Sequence, residues 1–141
     1  MSKIDTLEPS FRKQVEELLT AAADATGLKW VITSGRRTMA EQQLLYDQGR
    51  LIPGKVVTNA KPGSSAHNFG LAADLAPLNP ETGKVWWEAP KGKWRAMADT
   101  ARKLGLVAGY YFKSIFDAPH VEAPNWRDVR AQWQAGKIKV V

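Results

Sequence analysis

The chain has 141 residues, 44% hydrophobic and 24% charged, with a formal charge of +6, two histidines and no cysteine. That length suits one domain spanning residues 1–141, and the lack of cysteine excludes disulfides and thiolate metal sites. No apolar run is long enough to span a membrane, and the basic balance favours anionic partners without naming one.

Met1 to Asp5 lacks the apolar segment of a signal peptide, so the protein is expected to be made in the cytoplasm. Phe11, Val15, Leu18, Leu19 and Ala22 recur at helical spacing between Pro9, which suits a first turn, and Gly27, which ends it. Leu28 to Thr33 reads as a strand with Trp30 and Ile32 on one face, and Ser34-Gly35 is the turn that exposes Arg36 and Arg37. Thr38 and Glu41 form a capping box, so a second helix starts near Thr38, carries Leu44 and Leu45 inward and stops at Gly49. Arg50 to Ala66 is a long loop punctuated by Pro53, Gly54, Pro62 and Gly63, and it is expected to wall a cleft.

Gly70 to Pro77 reads as a strand with Ala72, Asp74 and Ala76 on one face, and Gly70 is the bend that lets His67 and Asp74 converge. After the turn Asn79–Gly83, Val85-Trp86-Trp87 is expected to return as a short strand, its tryptophans packing rather than forming a binding platform. Lys93 to Leu104 is helical through Trp94, Met97, Ala98 and Ala101, and Gly105 ends it. Val107 to Phe116 is aromatic, either a cleft wall or a strand with buried rings. His120 opens a short strand behind Pro119, and a short helix after Pro124 carries Trp126 and Trp133 for packing.

Two histidines and an aspartate, His67, Asp74 and His120, are the ligand set of a catalytic zinc, leaving a fourth tetrahedral position for water. Asp117 stands one short step from His120 and can approach that water without binding the metal. Glu122, two residues beyond His120, is a rival base or an outer partner of the histidine.

Ser65-x-His67-x-x-Gly70-x-Ala72-x-Asp74 followed by Asp117-x-x-His120 resembles the zinc D-Ala-D-Ala carboxypeptidases and L-alanyl-D-glutamate endopeptidases, notably bacteriophage endolysins. Ser34-Gly35-Arg36-Arg37-Thr38, with Gln42, Gln43, Tyr46 and Gly49, is similar to the family's upstream segment. The resemblance implies that Asp117 is the base, that Arg37 holds substrate and polarises the scissile carbonyl, and that Ser65 bonds a ligand or substrate. A turn hydroxyl at Ser65 and a surface ion pair at Arg37 are the plainer alternatives. Two departures bear on the cleft: Asp117 replaces the more frequent glutamate, and Ala108 to Phe112 stands where relatives carry a Trp-Gly-Gly-like run.

The expected architecture is α+β, a small antiparallel sheet carrying the zinc ligands and flanked by helices, as in the LAS and hedgehog-like zinc peptidases. The resemblance implies a monomeric enzyme that cuts peptidoglycan stem peptides in the periplasm or cell wall. A D-Ala-D-Ala carboxypeptidase or dipeptidase and a non-catalytic zinc-containing wall-binding module are the alternatives. A holin-type membrane partner is implied by the resemblance and the missing signal peptide. Anionic cell-envelope polymers suit the charge, as does a simple solvated surface, whereas scattered Lys and Arg give no specific nucleic-acid face.

Overall fold

The protein is described by a computed structural model, which covers residues 2–141. Helix α1 (Pro9–Thr26) begins with its proline at the first helical position, where no N–H is needed. Glu8 caps it by accepting from the backbone N–H groups of Ser10 and Phe11, and Gly27 closes it in the left-handed region at φ 71°. Its stripe of Phe11, Val15, Leu18 and Ala22 is buried. Facing it, α3 (Lys91–Lys103) buries Trp94, Met97, Ala98 and Ala101, the residues that helical spacing selects.

The sheet is antiparallel with strand order β1-β2-β4-β3, formed by β1 (Trp30–Ser34), β2 (Ala72–Pro77), β3 (Val107–Ala108) and β4 (His120–Glu122). β2 lies between β1 and β4 and is buried along almost all its length. Only Asp74 is partly exposed in β2. The two remaining α-helices are α2 (Met39–Asp47) and α4 (Trp126–Gln134), and α4 packs on the 66–69 segment that carries His67. The α+β architecture is as expected. No helix among the described residues is long and apolar enough to cross a membrane.

Four expectations require correction. The first strand begins at Trp30, not Leu28. Val85-Trp86-Trp87 is not a strand: a single bridge joins Leu78 and Val85, and Trp86 donates to Pro77 O without a return bond, because proline has no N–H to extend the ladder. Trp87 is 51% exposed and lies parallel to Trp94 at 6.3 Å. In α2 the inward position belongs to Gln42, fully buried, while Leu44 is 62% exposed, because this short helix faces the cleft rather than the apolar core. Of the two readings of the run after Val107, the buried strand falls, since the chain leaves the sheet at Ala108 and turns through Gly109–Tyr111, while Val107 and Phe112 do line a cavity, as the cleft-wall reading expects.

Thr26 joins α1 to the sheet. Its buried hydroxyl donates to Ala22 O at 2.6 Å and accepts from the Trp30 indole at 2.8 Å and from Leu28 N at 3.2 Å. Thr26→Val keeps the shape but orphans the indole N–H, and is expected to lower unfolding free energy by about 1–3 kcal/mol in urea titration.

Candidate metal centre and cleft

The pairing of β2 with β4 builds half of the site. Asp74 stands in register with His120, so both side chains project from the same face of the sheet as direct neighbours. His67 arrives on a 3-10 turn, Ala66–Phe69, which Ser65 caps by accepting from His67 N at 3.3 Å. Gly70 ends that turn at φ 69°, a left-handed conformation, and a Cβ there would strike the Arg36 guanidinium. The bend returns His67 to Asp74.

His67 Nε2 and His120 Nδ1 each lie 3.4 Å from Asp74 Oδ1. These atoms are all within 4.8 Å of one another, a grouping that could hold a metal ion. Ring orientation follows from the far nitrogens. His67 Nδ1 is 2.9 Å from Gly35 O, and a carbonyl only accepts, so Nδ1 carries the proton and Nε2 presents its lone pair. His120 Nε2 is 2.6 Å from Glu122 Oε1, which leaves Nδ1 facing Asp74. Asp74 Oδ1 is buried and has no hydrogen-bond partner among the described residues. A buried carboxylate oxygen without a hydrogen-bond partner, facing two imidazole nitrogens, is a donor set that could take a cation in place of a proton.

Charge shifts agree. Burial would raise the Asp74 carboxyl, but His120 and His67 outweigh it and hold the group well below the ordinary carboxylate range. Burial would lower the His120 imidazole, yet the Asp74 and Glu122 carboxylates push it up to about 9. A metal cation bound here would have to displace a proton from His120, whereas Asp74 is already ionised.

Glu122 is buried with both oxygens engaged, Oε1 on His120 and Oε2 accepting from the Trp126 indole at 2.8 Å. It orients the imidazole and has no oxygen left facing the cleft as a base. Asp117 instead has its side chain 46% exposed, with Oδ2 3.9 Å from His120 Nδ1. Partial burial raises its pKa, and the nearby Asp74 adds to that rise. The Asp117 loop passes directly over Gly109, where a Cβ would collide with Asp117 O and His120 Cβ.

Arg37 lines the cavity above the cluster, about 310 Å³ in volume, with Ser65, His67, Asp74, Asp117 and His120. Its guanidinium donates from Nη1 to Gln42 Oε1 at 3.0 Å, and its backbone N–H donates to His67 O at 2.9 Å. Gln42 donates in turn to Ala60 O at 2.8 Å, and Asn68 Nδ2 donates to Arg37 O at 3.0 Å. One buried amide thus ties Arg37 to the 50–66 loop, and a second ties it to the His67 turn. Two further cavities adjoin the first. One of about 590 Å³ shares Val57, Thr58, Ser65, Asp117 and His120 with it, and one of about 400 Å³ shares Arg37 and Leu45.

Every site residue expected from the sequence stands at this cluster. Gln42 as a hub, Asn68, the Gly35 carbonyl and Gly109 were not singled out for these roles. In the sequence Gly35 and Gln42 stand out only as part of the upstream segment, and Asn68 only as an amide inside the His67 motif.

The antiparallel sheet thus carries a His-Asp-His cluster that could hold a metal ion, beside a cavity lined by Arg37 and Asp117. The chain belongs to the VanY family, D-alanyl-D-alanine carboxypeptidase, whose family model matches residues 5–127. It is 40% identical over 121 residues to the peptidoglycan L-alanyl-D-glutamate endopeptidase CwlK of Bacillus subtilis, covering 80% of this chain and 72% of that protein. In fold it is similar to the L-Ala D-Glu endopeptidase ChiX of Serratia marcescens, at 19% identity and TM-score 0.64, covering 91% of this chain and 87% of the other. It is likewise similar to the vancomycin-resistance D,D-pentapeptidase VanY, solved in complex with Zn(II), at 18% identity and TM-score 0.59, covering 92% and 79% of the two chains.

Cation binding is expected to appear as stability. With zinc at about a thousand times its Kd, unfolding free energy should rise by about 4 kcal/mol over chelator-treated protein, read by denaturant titration. His67→Ala should abolish that rise.

Proposed function

We propose that this chain is a zinc peptidase that hydrolyses the L-alanyl–D-glutamate bond of peptidoglycan stem peptides, with His67, Asp74 and His120 as metal ligands. The observation that carries this reading is the convergence of two imidazole lone pairs and an orphaned carboxylate oxygen beneath a cleft that also holds Asp117 and Arg37. The 3.4 Å spacings suit a tetrahedral ion with bonds of roughly 2.0–2.1 Å, whose ligands sit about 3.3 Å apart. The nitrogen and carboxylate donors suit zinc.

Zinc bound there supplies a Lewis acid that acidifies water and polarises a peptide carbonyl. The remaining steps fall to the chain's own groups. Asp117, whose pKa burial raises above the ordinary carboxylate value, takes a proton from the attacking water and returns it to the leaving amine. Arg37, held by Gln42 at one nitrogen, has donors left for the developing oxyanion or a substrate carboxylate. Ser65 sits at the rim to bond substrate, and Glu122 fixes the His120 ring.

Cleavage inside a chain is favoured by the cavities adjoining the cluster, which leave room for substrate on either side of Arg37 and Asp117. The 40% identity to an L-alanyl-D-glutamate endopeptidase supports the same bond. The family description favours a second reading, removal of terminal D-Ala. Asp117 at the site argues against a binding module without hydrolysis. An endolysin role in host lysis, a holin-type partner, a monomeric state and attraction of the +6 chain to anionic envelope polymers complete the proposal.

Mass spectrometry of purified peptidoglycan incubated with the zinc-loaded protein should reveal new alanine C-termini and glutamate N-termini. Asp117→Asn should retain zinc and lower kcat by about 10²–10⁴. Release of D-Ala alone would move the enzyme to the carboxypeptidase branch, and intact stems would refute peptidase activity. Glu122→Gln should weaken zinc affinity by about 10–100-fold, read by competition with a chromophoric chelator.

A further inference from the structure

The larger lobe of the cleft, about 590 Å³, runs from Asp117 and His120 to Arg127. Arg127 is the one Lys or Arg lining it among the described residues, and no ion pair or side-chain hydrogen bond engages its guanidinium there. That guanidinium lies over the Trp126 ring, 4.6 Å from its centroid. Trp126 is itself held: its indole N–H donates to Glu122 Oε2 at 2.8 Å, and its ring stacks on Phe69 at 6.3 Å. Glu122 Oε1 in turn holds His120. A continuous chain of contacts therefore sets the Arg127 cation relative to the metal ligands. The acids in this lobe do not compete for it, since Glu122 is buried and engaged and Asp117 forms no ion pair with it.

We infer that Arg127, seated on Trp126, is a carboxylate-binding subsite that selects stem peptides bearing a free carboxylate on the leaving side of the scissile bond. This rests on the stem-peptide reading above. A glutamate joined through its amine and one carboxyl keeps its other carboxylate free. Planar guanidinium matches a carboxylate with paired donors, and the aromatic shelf holds the fork in place before substrate arrives. Arg127 touches substrate without taking part in proton transfer, so its signature is in binding rather than turnover.

The test pairs two substrates with three zinc-loaded proteins: wild type, Arg127→Met and Arg127→Lys. One soluble stem peptide contains L-Ala-D-Glu with its carboxylates free, and the other is the same peptide with them amidated. Arg127→Met should raise KM on the free acid about tenfold, with kcat within about twofold, and should change nothing on the amidated peptide. Arg127→Lys should recover part of the loss. Because Arg127 is exposed, thermal stability and zinc content should be unchanged in both variants. Equal losses on both peptides, or no loss on either, would overturn the subsite. Calorimetric binding of both peptides to the zinc-loaded Asp117→Asn protein, with and without Arg127→Met, makes the same comparison without turnover. Equal affinities there overturn the inference whichever bond is cut, whereas failure of wild type to cut L-Ala-D-Glu counts only against the proposed reaction.

Discussion

The register between β2 and β4 is the constraint on which the site depends. Placing Asp74 opposite His120 makes a carboxylate and an imidazole neighbours on one face, and a slip of one residue would send either to the opposite side of the sheet. Bonds beyond the ladder hold that register, Leu75 N to Pro119 O and Ala123 N to Leu71 O, each at 2.9 Å. Ala72, Ala73 and Val121 are buried around it, so a slipped pairing would also expose core surface. Gly109 then lets the 117–120 segment approach closely enough to bring Asp117 beside His120. Site geometry is thus a by-product of core packing.

Polar satisfaction supplies the second constraint. The buried side chains around the cluster are engaged: Gln42 with Arg37 and Ala60, Asn68 with Gly63 and Arg37, Glu122 with His120 and Trp126. Leaving such groups without partners costs about 1–3 kcal/mol each, so their pairing is what permits burial. Asp74 Oδ1 breaks this pattern, and it does so at the point where the imidazole lone pairs converge. A fold that satisfies the surrounding amides yet leaves this oxygen without a hydrogen bond concentrates negative charge between two imidazoles, which is what a bound cation would require.

Much of this was legible in the sequence because it rests on local signals. Pro9, Gly27, the Thr38–Glu41 box and the helical spacing of Trp94 to Ala101 mark helices through capping and periodicity, and the model has them within two residues. The sole histidines lie near carboxylates in recognisable spacing, and both stand at the cluster. What escaped depends on long-range placement. Gln42 is the inward residue of its helix although it is polar, because its partners, which lie 5, 18 and 26 residues away, satisfy its amide in burial. Val85 to Trp87 has strand composition, yet a neighbouring proline without an N–H limits it to one bridge. Trp126 reads as packing from its spacing, and it does pack, but the Glu122 bond that makes it part of the site is invisible without the fold.

The cleft's charge distribution bears on how substrate lies in it. An enzyme that trims a chain end needs a cation close to the scissile bond to read the terminal carboxylate, and a wall beyond it. Here Arg37 is above the metal ligands, with adjoining cavities to either side, so a chain that continues past the cut is not obstructed. The lobe beyond Asp117 ends at a cation, and the one beyond Arg37 is lined by Leu44, Leu45, Ile52 and Pro53 together with Glu41 and Gln48. The Arg127 lobe offers a cation at its far end, whereas the other lobe has its cation, Arg37, at the cluster and an acid, Glu41, in its wall. Under the proposed reaction these unequal ends would favour one direction of binding over its reverse.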